Sequence, residues 1–182
     1  MARLASVLSS GVLLALSLGP GGLASAQPGG AVDVGHPAPG FTLPGTPARP
    51  VRLSDLAGER IVMLQFQPGD VLQACDGDLV ARRDGYARFQ EAGAEVITIT
   101  VDRPTALGRV HEMLGLPFPL LSDETRETSR RYGVLDEVSG IARRAYFVID
   151  RRGVVRFTRV FQDPAERLTN DALLQEIRHA AQ

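Results

Sequence analysis

A chain of 182 residues with 44% hydrophobic and 23% charged side chains suits one globular domain with a sizeable core. Its formal net charge is −1, and its basic residues are all arginine and scattered, which gives no footprint for a nucleic acid or an anionic membrane. Composition also excludes charged tails and low-complexity arms.

The first 26 residues differ from the rest. Arg3 is a small positive start, Val7 to Leu18 is apolar apart from Ser and Gly, and Pro20-Gly21-Gly22 breaks that run. Ala24-Ser25-Ala26 then has the small-x-small form of a signal-peptidase site. The apolar run is about a dozen residues, short of the roughly 20 that span a bilayer. Residues 1–26 are therefore expected to be a signal peptide, the alternative being an uncleaved anchor. The mature protein is expected outside the cytoplasm, periplasmic or secreted, with no membrane attachment. Residues 27–34 read as a Gly- and Pro-rich linker, and 35–182 as the domain.

Within the domain, Phe41-Thr42-Leu43 and Val51-Arg52-Leu53 predict a short hairpin around a Pro/Gly turn. Ile61 to Gln67 is apolar at nearly every position, the pattern of a strand covered on both faces. Pro68-Gly69-Asp70 ends it, and Val71 to Ala92 carries helical periodicity up to Gly93. Glu95 to Val101 is a second strand. Pro104 to Leu114 is a helix ended by Gly115, with Asp102 as its expected cap. Leu120 to Ser122 is a short strand, followed by a helix from about Glu124 to Arg131. Arg144 to Asp150 and Val154 to Val160 are strands joined by a turn at Arg152-Gly153, and Pro164 to Ala181 is a closing amphipathic helix. This order predicts an α/β, thioredoxin-like fold: a central mixed sheet flanked by helices, with an extra amino-terminal hairpin.

Cys75 is the one cysteine, so no disulfide can form within the chain, which is unusual for an exported protein. A buried structural thiol is the bland alternative. Cys75 follows a strand–turn unit near a helix start, where unpaired N–H groups and the helix dipole favour a thiolate. Asp70, Asp76 and Asp78 oppose that if they point inward. His36, His111 and His179 lack metal-ligand spacing, and neither metal nor cofactor is expected.

These residues resemble the peroxiredoxins, and within them the bacterioferritin-comigratory-protein subgroup. Pro68 and Cys75 match the ends of the pattern Pro-x-x-x-Thr/Ser-x-x-Cys. Arg82-Arg83-Asp84 stands in the place of the family's Phe-Arg-Asp. Leu116 to Asp123, Tyr132-Gly133-Val134 and Arg144 to Asp150 are similar to later segments in the same order. The resemblance covers about residues 33–160.

The resemblance implies a thiol-dependent peroxidase for hydrogen peroxide or organic hydroperoxides. Cys75 would be the nucleophile, oxidised to a sulfenic acid, and Arg144 would stabilise thiolate and peroxide. Pro68 would shield the thiolate, and backbone N–H groups from Gly69 onward would meet the substrate. Two departures matter. Leu72 takes the Thr/Ser position and has no hydroxyl, and Val80 takes the position where the subgroup often has a resolving cysteine. A one-cysteine type follows, recycled by an external thiol or a thioredoxin-like reductant, as a monomer or homodimer. Leu72 leaves open a redoxin-fold protein with weak or no peroxidase activity, acting as a thiol sensor or binding module.

Overall fold

The protein is described by a computed structural model covering residues 32–47, 49–56, 58–69, 77–163 and 165–182. The expected signal peptide, Leu72 and Cys75 lie outside the described residues.

The sheet has seven strands: β1 (Thr42–Gly45), β2 (Arg49–Arg52), β3 (Ile61–Phe66), β4 (Ala94–Thr100), β5 (Leu120–Ser122), β6 (Ala145–Ile149) and β7 (Val155–Val160). Their spatial order is β2-β1-β5-β4-β3-β6-β7. β3 pairs in parallel with β4, and β4 with β5, while β6 runs antiparallel to both β3 and β7. Among the described residues the α-helices are α1 (Gly77–Glu91), α2 (Pro104–Leu114), α3 (Glu127–Arg131) and α4 (Asn170–Ala180). The mixed sheet, the flanking helices and the extra hairpin, with Leu43 opposite Val51, are those of the thioredoxin-like fold expected from the sequence.

Period-2 alternation along β3 divides the core in two. Val62, Leu64 and Phe66 join Ile97, Ile99, Phe147 and Tyr132 in one apolar cluster. Ile61 and Met63 join Val96 and Val148 in the other, with Leu79 and Phe89 of α1, Leu107 and Val110 of α2, and Leu173 and Ile177 of α4. Because both faces are covered, every residue of β3 is buried. Val32, within the stretch read as linker, is buried in the first cluster, and the Gly35 N–H donates to the Val155 carbonyl.

Two element starts and one cap differ from expectation. α3 begins at Glu127, not Glu124, because the buried Asp123 carboxylate accepts from the Thr128 and Ser129 N–H groups and holds the intervening turn, with Arg126 left-handed at φ 62°. α4 begins at Asn170, not Pro164, since the Thr169 hydroxyl accepts the Ala172 N–H as its N-cap. α2 uses Arg103 as N-cap with Pro104 in its first turn, while Asp102 accepts the Thr100 hydroxyl at 2.6 Å. It stops at Gly115, whose φ of 58° is the left-handed cap that glycine adopts without strain.

Phe66, Tyr132 and Phe147 pack as three mutually contacting rings, with centroids 5.1–5.8 Å apart, at the junction of β3 and β6. Removing the buried Phe147 ring leaves a cavity that both strands must bridge. Phe147→Ala is expected to lower stability by about 3–5 kcal/mol, measured as a reduced urea midpoint at unchanged slope.

Candidate active site

At its carboxyl end β3 turns polar on one face only. Ile61 and Met63 are followed, two residues apart, by Gln65 and Gln67, both fully buried. Beside them Thr98 replaces the apolar residue of β4, and Tyr146 stands on β6. A buried polar floor of this kind is stable only if its groups bond to one another.

The first turn of α1 supplies the group that organises it. Asp78 is fully buried, and its carboxylate accepts on both oxygens. Oδ1 accepts from Arg82 Nη2 at 2.7 Å. Oδ2 accepts from Tyr146 Oη at 2.5 Å, Gln67 Nε2 at 2.9 Å and Arg144 Nη1 at 3.0 Å. Arg144, 6% exposed, also donates to Gln67 Oε1 at 2.5 Å. Burial, then the Asp78 charge and hydrogen bond, push the Tyr146 phenol well above its ordinary range, so it stays a proton donor to the carboxylate.

Arg82 is the largest fully buried side chain described. Besides Asp78 it donates to Gln65 Oε1 at 3.3 Å, to the Asn170 side-chain oxygen and to the Leu168 carbonyl. Its guanidinium carbon lies 5.8 Å from the Tyr146 ring centroid. Asn170 in turn donates to the Ala81 carbonyl at 2.7 Å. Gly85 makes this possible, because a Cβ there would collide with the Asn170 amide.

Pro68 and Arg144 line one cavity of about 160 Å³, together with Asp136, Ile141, Arg143 and Phe161. The turn beside it is held by Asp136, whose carboxylate accepts the Val138 and Ser139 N–H groups. Those bonds, Ser139's backbone and hydroxyl first, keep its pKa below the ordinary carboxylate value. Gly69 lies in the adjoining cleft of about 720 Å³ with Val101, Asp102, Arg103 and Arg126, and Ile141 borders both hollows. Pro68 and Arg144 are thus brought together and Gly69 sits next door, while Leu72 and Cys75 lie outside the described residues. Of the three aspartates expected near the thiol, Asp78 does point inward, but its charge is met by two guanidiniums. Asp70 and Asp76 fall outside the described residues.

The AhpC/TSA family model matches residues 34–158, more than half of the chain and all of this floor except Asn170 and Leu168. The chain belongs to the AhpC/TSA family. It is 38% identical over 129 residues to the chloroplastic peroxiredoxin Q of Oryza sativa subsp. japonica, covering 70% of this chain and 59% of that protein. It is 36% identical over 148 residues to alkyl hydroperoxide reductase E of Mycobacterium bovis, covering 78% of this chain and 96% of that protein. Its fold is similar to that of Enterococcus faecalis AhpC, with TM-score 0.75 at 23% identity, over 81% of this chain and 92% of that one. The chain spans less than two thirds of the length of the rice relatives it matches.

For this AhpC/TSA chain, sequence reasoning missed Gln65, Gln67, Arg82, Tyr146 and Asn170. A signal existed for the first two: glutamines two apart at the end of an apolar strand share one face. Asp78 and Arg82, four apart on a helix, were also readable as neighbours. Gly85→Ala is expected to push Asn170 off both Arg82 and Ala81, costing about 1–3 kcal/mol. Combined with Asn170→Ala, the loss measured by urea unfolding should be smaller than the sum of the two single losses, since both break the same contacts.

Proposed function

We propose that this chain is a thiol-dependent peroxidase that reduces hydrogen peroxide or organic hydroperoxides through Cys75. The observation that carries the reading is the meeting of Pro68 and the buried Arg144 at one cavity, on a chain whose one cysteine stands seven residues after that proline. Relatives named as a peroxiredoxin and an alkyl hydroperoxide reductase support it.

In the reaction, the Cys75 thiolate attacks one peroxide oxygen and the O–O bond breaks. Its electron pair leaves with the other oxygen, which takes up a proton as water or alcohol, and the sulfur becomes a sulfenic acid. One external thiol displaces water to give a mixed disulfide, and a second releases Cys75. Arg144 suits the charged part of this work. Its guanidinium is permanently charged, and its bonds to Asp78 and Gln67 fix the plane of its donors. Pro68 closes the cavity wall and offers no N–H to water. We further propose the one-cysteine type of the bacterioferritin-comigratory subgroup, a small thiol or thioredoxin-like reductant, and a monomer or homodimer. Export after removal of residues 1–26 completes the reading, and the amino-terminal sequence of protein recovered from cells tests it.

Leu72 favours a second reading, a redoxin-fold thiol sensor or binding module with little peroxidase activity. The two separate on the second-order rate of Cys75 oxidation by hydrogen peroxide, with the sulfenic acid trapped and weighed. A peroxidase reacts orders of magnitude faster than free cysteine and loses all reactivity in Cys75→Ser; a rate near free cysteine, with organic hydroperoxides equally slow, leaves the sensor. Leu72→Thr restores a hydroxyl donor and is expected to raise the rate by about 10²-fold, the usual worth of one donor to a developing oxyanion.

A further inference from the structure

Two hollows adjoin beyond the carboxyl end of β3, and among the described residues one side chain borders both. Pro68, Arg144 and Phe161 line the cavity of about 160 Å³, and Gly69, Val101 and Ala106 line the cleft of about 720 Å³. Ile141 stands in each wall. Sites that enclose a drug-sized molecule run to roughly 300–1,000 Å³, so the cleft falls in that range and the cavity below it. The residue between them therefore decides how large a molecule can lie beside Arg144.

Ile141 closes the seam by contact. A Cβ on Gly69 would lie 3.0 Å from Val101 Cγ2 and 3.4 Å from Ile141 Cγ2, so both side chains press on the chain where it leaves β3. Ile141 is 41% exposed, so its turn rather than burial holds it in place. The Asp136 N–H donates to the Ile141 carbonyl at 2.9 Å, and the Gly140 N–H to the Asp136 carbonyl at 2.8 Å. A further tie crosses from the cleft, where Arg126 Nε donates to the Gly140 carbonyl at 2.7 Å. Arg126 does so at φ 62°, a left-handed conformation that costs a residue with a Cβ roughly 1–2 kcal/mol. Strain at a residue lining a cleft points to a role for its side chain. A glycine would relieve the strain and lose the bond to Gly140.

We propose that Ile141 is a specificity-determining residue, a partition that keeps the small cavity apart from the wide cleft. The site then takes hydrogen peroxide and small alkyl hydroperoxides, and the organic group of a bulky hydroperoxide has no wall to pack on. Arg126 is the positioning residue that holds the partition from the cleft side. The inference rests on the reading of the cavity as the peroxide site, and it narrows the substrate class of that reading.

The test compares the full chain as wild type, Ile141→Ala and Arg126→Gly, with hydrogen peroxide and cumene hydroperoxide. The readout is the ratio of the two second-order rates, from which a general loss of activity cancels. Ile141→Ala is expected to move the ratio toward cumene hydroperoxide by about tenfold, the lower end of what a few carbons in an apolar pocket decide. Arg126→Gly should move it the same way by less, with no loss of urea midpoint, which a merely structural role would not do. If Ile141→Ala does not fold by circular dichroism, Ile141→Val takes its place, with a shift of about fourfold for one methylene. A second measurement needs no turnover. The alcohol 2-phenyl-2-propanol, which cumene hydroperoxide leaves on reduction, is added to reduced protein and the backbone amide shifts are followed by NMR. In Ile141→Ala the shifts should run from Ala142 and Phe161 in the cavity through to Val101 and Ala106 in the cleft; in wild type they should not cross Ile141. In an active chain the ratio decides, and an unmoved ratio overturns the proposal. In a chain no faster than free cysteine the functional reading falls and the shifts decide, an identical pattern in wild type and Ile141→Ala overturning the partition as well.

Discussion

One buried carboxylate holds this site together. Asp78 accepts from a helix neighbour, a strand glutamine, a tyrosine on an antiparallel strand and the arginine just before that strand. The donors come from three separate parts of the sequence, so α1, the end of β3 and the start of β6 are fixed to one another at a single point. Taking a carboxylate fully out of water costs several kcal/mol, and only a complete set of donors offsets that. The set is complete here: both oxygens are bonded, and the arginines that bond them are in turn bonded to glutamine, asparagine and backbone oxygens. Such a network gives no large net stability over an apolar core. What it gives is one geometry, because any other arrangement leaves a buried charge exposed to hydrocarbon.

The division of labour along β3 follows from the same constraint. Its first four residues are apolar on both faces and pair in register with β4 and β6, which supplies burial on each side of the sheet. Its last residues keep the apolar pattern on one face, through Leu64 and Phe66, and give the other to Gln65 and Gln67. Stability and chemistry therefore occupy the two faces of the same short strand, and the ring cluster of Phe66, Tyr132 and Phe147 lies behind the polar floor. Pro68 and Gly69 leave the strand from this rigid base, so the cavity wall inherits the order of the sheet.

Much of the fold was legible because it rests on short-range patterns. The apolar run of Ile61 to Gln67, Gly115 after α2 and Gly153 in the last hairpin each mark an element by local chemistry. The starts of α3 and α4 were not legible, since both depend on where a side chain goes. Asp123 takes N–H groups five and six residues ahead, and the stretch before Thr169 stays non-helical where the Leu168 carbonyl accepts from Arg82. At the site, Pro68 and Arg144 were readable through the family resemblance, and they do share a cavity. Arg82 was not. Its partners Leu168 and Asn170 stand more than eighty residues away, and no local pattern announces that a guanidinium will be buried against them.

That long-range tie changes what the carboxyl-terminal helix is for. By its apolar residues alone, α4 is packing: Leu173, Leu174 and Ile177 complete a core cluster. Through Asn170, at its first turn, it also touches the guanidinium that shares Asp78 with Arg144, and Gly85 is small to let that amide in. The family pattern ends near residue 158, before this contact. That guanidinium is thus held partly by a segment outside the matched residues 34–158. Within this one chain, the helix that closes the core also helps hold the buried arginine that bonds Asp78.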